Sequence, residues 1–262
     1  MINLKFFTSV LMASFFTVAH AQTVTLDYYF NRETKKDVSG EIYRFHYLWE
    51  DAKMTGFSMW GDVFKKYGAQ INSLETAPTL KSLANTDVYI IVDPDRPEEN
   101  PNPNYIENQH IKAIAKWVKK GGVLVLMAND STNVELKHFN KLAGKFGVTF
   151  THNRNMVKDK NFLIGKIDIP AGNEVFPKPK AVYLKEISAI AVKQPATALI
   201  SDKGDVIMAV AKYGKGTVFA VGDPWIYNEY VDGKRIPKEY ENYNAMEELS
   251  KWLIKQVPVK RK

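Results

Sequence analysis

Two five-residue runs, Val88–Val92 and Val123–Met127, carry no charged side chain and show no alternation of apolar and polar residues. A strand with one wet face alternates, so both runs are expected to be strands buried on both faces. Helical spacing separates and follows them. Ile111–Val118 lies between the two runs, and Val134–Phe146 follows the second and ends at Gly147. Apolar strands alternating with amphipathic helices imply an α/β fold: a mostly parallel sheet flanked by helices.

The rest of the chain extends this pattern. Val24–Phe30 reads as a first strand, and Thr55–Tyr67 as a helix with Phe57, Trp60 and Phe64 on one side and Gly68 as its C-cap. From Val148 the pattern turns to short strand-like runs at Phe162–Ile169, Ala181–Ile187, Ala196–Ile200, Val206–Ala211 and Thr217–Val221. Gly204-Asp205 and Gly214-Lys215-Gly216 read as hairpin turns between the last three. An amphipathic helix, Tyr243–Leu253, closes this β-rich C-terminal part. With no repeat and no low-complexity linker, residues 22–262 are read as a single domain.

Residues 1–21 read as a secretory signal peptide. Lys5 is their only charge, Phe6–Val18 is nearly all apolar, and Ala19-His20-Ala21 is an A-x-A cleavage pattern. The run is short for a membrane span, and no cysteine follows that would carry a lipid. A secreted, periplasmic protein is expected. The chain has no cysteine at all, which excludes thiol nucleophiles, thiolate metal sites and disulfides. Its formal charge of +7 includes the terminal Lys260-Arg261-Lys262 and suits an acidic ligand, whereas nucleic acid is a poor partner for an exported protein.

Polar residues cluster just beyond the expected strand ends. They are Tyr28, Tyr29 and Asn31 after the first strand, Asp93 and Asp95 after Val88–Val92, Asn129 and Asp130 after Val123–Met127, and Asp223, Trp225, Tyr227 and Asn228 after Thr217–Val221. In a parallel sheet these sites converge at one edge, where open α/β folds bind ligands. Singly, each also serves as a turn or cap former. Tyr43–Asp51 adds Arg44, His46, Trp49, Glu50 and Asp51; its bland reading is an alternating hairpin strand. Guanidinium can grip a carboxylate, an aromatic ring can stack on a sugar, and imidazole can move protons. No histidine pair has metal-ligand spacing, so no metal is expected, and no Gly-rich phosphate loop or G-x-S-x-G elbow is present, so no cofactor is expected.

The segments VTLDYYFN (24–31), YRFHYLWEDAKMTGFSMWGDVFKKYGA (43–69), DVYIIVDPD (87–95), NPNYI (102–106), GGVLVLMANDSTN (121–133), KHFNKLAGKFGV (137–148) and KGDVIMAVAKYGKGTVFAVGDPWIYNEY (203–230) resemble a domain family of polysaccharide-degrading bacteria. That family accompanies the unsaturated uronyl hydrolases of glycoside hydrolase family 105. The resemblance implies a class I glutamine-amidotransferase-like, or flavodoxin-like, fold without the amidotransferase cysteine. It also implies an oligosaccharide dehydratase, a carbon-oxygen lyase that acts on fragments of ulvan, the uronate-rich sulfated algal polysaccharide.

Such an enzyme would remove water across C4 and C5 of a non-reducing-end glucuronate or iduronate. The 4,5-unsaturated end so formed is what the uronyl hydrolase accepts. The reaction needs a partner for the carboxylate, a base for the C5 proton and an acid for the C4 hydroxyl. Arg44 with Asn129 would supply the first, His46 or Tyr227 the second, and Tyr28, Asp130 or Asp223 the third. Trp49, Asp93, Trp225 and Asn228 are the further expected contacts to an acidic oligosaccharide of uronate and sulfated rhamnose. The competing reading is a noncatalytic module that binds such oligosaccharides for the hydrolase.

Overall fold

The computed structural model describes residues 21–158 and 161–258; all but the last residue of the signal peptide expected over 1–21, and the terminal Lys260-Arg261-Lys262, lie outside them. The chain runs β1 (Thr23–Asp27), β2 (Thr34–Lys36), β3 (Ile42–Arg44), α1 (Ser58–Lys66), β4 (Gln70–Leu74), β5 (Val88–Val92), α2 (Asn108–Lys119), β6 (Val123–Met127) and α3 (Leu136–Ala143). It continues through β7 (Val148–Arg154), β8 (Lys166–Ile169), β9 (Lys180–Tyr183), β10 (Ile187–Val192), β11 (Ala196–Asp202), β12 (Asp205–Tyr213), β13 (Gly216–Val221), α4 (Asn228–Val231) and α5 (Asn242–Gln256).

The fold is mixed α/β. One nine-stranded sheet has the order β4-β1-β5-β6-β13-β12-β10-β7, with β11 also paired to β12. Its first five strands are mutually parallel. Taken in chain order, they stand 2-1-3-4-5 across the sheet. The remaining ladders are antiparallel, so the β-rich second half extends the same sheet.

β5 and β6 are adjacent and buried throughout, as their unbroken apolar character requires. Period-two geometry splits each strand between two cores. Val88, Ile90 and Val92 face a cluster with Trp60, Val63 and Phe64 of α1 and Met246, Leu249 and Leu253 of α5. Tyr89 and Ile91 face the opposite cluster, with Ile114, Trp117 and Val118 of α2 and Phe139 and Leu142 of α3. Helices therefore cover both faces of the parallel half.

Three expected elements differ. The run Ala181–Ile187 is not one strand: β9 stops at Tyr183, and β10 starts at Ile187 after Glu186 takes φ +55°. Phe162–Ile169 is a 3-10 turn followed by β8. The helix expected to reach Phe146 stops at Ala143 and tightens into a 3-10 turn before Gly147, at φ +85°.

The register fixes where the parallel strands end. Val92 pairs with Met127, and Met127 with Val221, so β5, β6 and β13 finish in one row. Just beyond that row β10 crosses close to Gly222. A Cβ there would lie 2.0 Å from the Ser188 carbonyl oxygen, and Ser188 N–H donates to the Gly222 carbonyl at 2.9 Å. Only glycine permits this approach, which carries Lys185 and Glu186 over the strand ends.

Candidate functional site

A cleft of about 180 Å³ opens over the carboxyl ends of β5, β6 and β13. Its lining includes Glu33, His46 and Tyr47 around the β2-β3 hairpin, Asn129 after β6, Lys185 and Glu186 before β10, and Asp223, Tyr227 and Tyr230 after β13. Glu99 contributes from the proline-rich loop that follows β5.

Asp93 begins the polar network beneath it. It leaves β5 at φ +35°, and its Oδ1 accepts from Asn129 N–H at 2.6 Å. Its Oδ2 accepts from the Tyr47 hydroxyl at 2.5 Å. That hydroxyl lies 3.1 Å from the hydroxyl of Tyr227. A continuous hydrogen-bonded chain thus links the cleft wall at Tyr227 to a buried carboxyl. Burial pushes the Asp93 carboxyl well above the usual carboxylate range, although the Tyr47 hydrogen bond pulls it down.

His46 forms a second pair. Its Nδ1 is 2.8 Å from Glu33 Oε1, which fixes the ring and leaves Nε2 for a ligand. The Phe45 and Tyr47 rings flank it, with centroids at 4.2 and 5.0 Å. Asp223 forms the third group. Its Oδ2 accepts from Lys185 N–H at 2.6 Å, and burial pushes its carboxyl well above the usual range against that hydrogen bond and the Lys185 charge. Burial likewise pushes Glu99 up to about 7. Burial thus favours the protonated form of both carboxyls.

Backbone strain marks the same place. Six non-glycine residues among those described have positive φ, and four of them are His46 (67°), Tyr47 (52°), Asp93 (35°) and Glu186 (55°). Such conformations cost of order 1–3 kcal/mol each and concentrate at functional sites. His and Asp are among the side chains that visit this region most readily, whereas a bulky Tyr is rare there.

Of the residues singled out from the sequence, His46, Asn129, Asp223 and Tyr227 line the cleft, and Asp93 lies directly beneath it. The others are engaged elsewhere. Arg44 binds both Glu75 carboxylate oxygens through Nη1, at 3.0 and 3.2 Å, and the Asn31 carbonyl through Nη2 at 3.0 Å. Its guanidinium also covers the Tyr28 ring, 4.6 Å from the centroid. Tyr28 donates to Glu50 at 2.7 Å and accepts from Trp49 N–H at 2.6 Å.

The indole N–H of Trp49 donates to the Asn72 carbonyl, and its ring packs on Phe57, Trp60 and Phe64. Trp225 is wholly buried. Both tryptophans are core, with no face open to a sugar. Asp130 caps a turn, accepting from Thr132 N–H at 2.9 Å and Asn133 Nδ2 at 2.5 Å. Asn228 ties α4 to the start of α1, accepting from Met59 N–H and donating to the Asp51 and Lys53 carbonyls.

Sequence reading missed Glu33, Tyr47, Glu99, Lys185, Glu186 and Tyr230. Tyr47 lies inside Tyr43–Asp51, beside the candidates Arg44 and His46, and Glu99 lies in the proline-rich loop after β5. Lys185 and Glu186 carried no signal, because they lie where one continuous strand was expected. Among the described residues no three His, Asp or Glu side chains group as metal ligands, and no helix is long and apolar enough to cross a membrane.

No family model and no curated protein matches the chain. Solved structures resemble it in fold. The mmIFT52 N-terminal domain aligns at TM-score 0.65 and 15% identity, over 89% of this chain and 97% of that one. A cytoplasmic protein of Salmonella typhimurium LT2 aligns at 0.59 and 16%, over 90% and 100%. The exo-β-1,4-mannosidase Op5Man5 of Opitutaceae bacterium strain TAV5 aligns at 0.50 and 14%, over 92% of this chain and 37% of that enzyme. At these identities the likeness is one of fold.

Proposed function

We propose that the protein is an oligosaccharide dehydratase that eliminates water from a non-reducing-end uronate, with the cleft over β5, β6 and β13 as its site. The observation that carries this reading is the convergence on one cleft of a carboxylate-fixed imidazole, His46–Glu33, and a buried proton-holding carboxyl, Asp223. An elimination needs both a base and an acid.

In the proposed reaction His46 Nε2 takes the C5 proton, the C5–H electron pair forms the C4=C5 bond, and the C4–O bond breaks. Asp223 delivers its proton to the departing hydroxyl, which leaves as water. Solvent then returns the proton from His46 to Asp223. Charge grows on the uronate carboxylate as C5 is deprotonated, and Lys185 is the cation among the lining residues suited to stabilise it. Glu99, raised to about 7, would donate a hydrogen bond to that carboxylate when protonated. These acids explain how a cleft rich in carboxyls could accept an anion.

The finer fold assignment belongs to the same proposal. A 2-1-3-4-5 parallel order is that of flavodoxin-like sheets, and the sequence resemblance supports the glutamine-amidotransferase-like form of it. On that resemblance we also propose a periplasmic location, an acidic oligosaccharide of the ulvan type as substrate, and an unsaturated uronyl hydrolase as functional partner. The test is absorbance in the enol-ether band when purified protein meets oligosaccharides with a saturated uronate end. A rise is expected; binding without a rise overturns the dehydratase in favour of a binding module.

A further inference from the structure

The hairpin of β2 and β3 stands beside the cleft and carries a second group of binding side chains. Directly paired residues of an antiparallel ribbon share a face, and Lys35 pairs with Tyr43. Phe45, two residues on, continues that face. Lys35 Nζ lies 3.7 Å from the centroid of the Phe45 ring, and Lys53 Nζ lies 5.2 Å from that of Tyr43. Neither ammonium is in an ion pair with a carboxylate among the described residues, unlike Arg32 and Arg44 beside them, which both bind Glu75. Tyr43 is 38% exposed.

This face leads into the cleft through adjoining rings, because the Phe45 and His46 centroids lie 4.2 Å apart. The cleft itself is small. It holds about 180 Å³ and opens beside the hairpin, with Glu33, His46 and Tyr47 in its wall. Further sugars of a chain anchored there must lie outside it. The hairpin offers them the exposed Tyr43 ring for sugar C–H groups and two ammoniums, one held over Phe45, for anionic substituents.

We propose that Lys35, Tyr43, Phe45 and Lys53 form a subsite track for the second and third residues of an acidic oligosaccharide whose terminal uronate occupies the cleft. The track rests on the reading of the cleft as a uronate site, but not on its chemistry. Its recognition is of an anionic group on a pyranose, carboxylate or sulfate ester.

The test is calorimetric binding of ligands ended by a 4-deoxy uronate, which lacks the leaving hydroxyl and cannot be eliminated. A monosaccharide is compared with trisaccharides whose inner residues bear a carboxylate, a sulfate ester or no charge. The wild-type protein should bind the anionic trisaccharides roughly tenfold more tightly than the monosaccharide, as one ring face and one exposed ion pair would give. The uncharged trisaccharide should show a smaller gain. In the Lys35→Ala/Lys53→Ala double variant the anionic trisaccharides should fall to the affinity of the uncharged one, and Lys35→Arg/Lys53→Arg should restore the difference. The carboxylate and sulfate arms show which anion the track prefers. An advantage of the anionic over the uncharged trisaccharide that survives the double alanine variant, or a wild-type ratio of one, overturns the track. Failure of the absorbance assay with this ratio intact would remove the dehydratase and leave the track standing.

Discussion

The hydroxyls of Tyr47 and Tyr227 lie 3.1 Å apart, although 180 residues separate them in sequence. Tyr47 donates to Asp93, so the pair couples the carboxyl end of β5 to the segment after β13. Tyr47→Phe keeps the ring and removes the donor, leaving buried Oδ2 of Asp93 and the Tyr227 hydroxyl each short of a partner. A loss of about 1–3 kcal/mol is expected in chemical denaturation. Asp93→Asn should be milder, because an amide replaces a carboxyl already held largely neutral by burial and Asn tolerates positive φ. Equal costs for the two variants would argue against a protonated Asp93.

A second prediction concerns pH and stability. Burial pushes Asp27 up to about 7, Asp95 to about 6 and Glu99 to about 7. Between the ordinary carboxylate range and these values the folded chain keeps protons that the unfolded chain releases. Stability should therefore fall as pH rises from about 4 to about 7, by up to about 1.4 kcal/mol per pH unit for the fully buried Asp27 and by less for half-exposed Glu99, whose charge water screens. Thermal melting at about pH 5 should exceed that at about pH 8. Asp27→Asn should flatten the curve, since Asp27 is fully buried between Tyr89 and the Phe30 and Tyr29 amides. A Tm independent of pH across this range would count against the neutral carboxyls.

How far the sequence foretold this arrangement depends on the physics of each element. Val88–Val92 and Val123–Met127 were legible because burial on both faces leaves an unbroken apolar run, and their register then aligns Asp93, Asn129 and Asp223. Trp49, Trp225 and Asn228 were misread as ligand contacts because residue type reports what a group can bind, not which way the chain turns it. Arg44 was legible as a carboxylate binder, and it binds one, but its partner is Glu75, 31 residues away. Lys185 was hidden because its position depends on the close approach at Gly222 and the turn at Glu186, neither of which leaves a local pattern.

The His46–Glu33 pair gives a third prediction. His46→Ala should lower turnover by roughly 10²–10⁴-fold, the usual share of a general base. Glu33→Gln keeps shape but exchanges the anion that steadies an imidazolium for a neutral amide. It should lower the rate while leaving substrate affinity nearly unchanged, because the imidazolium it steadies forms only as the proton is taken. A variant that loses Tm but keeps its rate would give Glu33 only a packing role.

The last prediction sets Lys185 against Arg44 as the cation for the substrate carboxylate. Lys185 lines the cleft, and its backbone N–H holds Asp223 at 2.6 Å; its side chain is 34% exposed and 3.5 Å from Glu186. Arg44 is outside the lining set, with both Nη atoms engaged. Lys185→Ala removes the ammonium but keeps the backbone donor to Asp223. It should therefore cost roughly a hundredfold in kcat, as loss of one electrostatic donor does, with a smaller change in substrate affinity, because the charge it meets grows in the transition state. Lys185→Arg should recover part of the rate. Arg44→Ala should chiefly weaken the hairpin, by releasing Glu75 and uncovering Tyr28, and should leave kcat within a few-fold once folded protein is compared. If Arg44→Ala instead lowers kcat as much as Lys185→Ala in protein of unchanged Tm, the carboxylate is held from the hairpin side, and Arg44 must leave Glu75 when substrate binds.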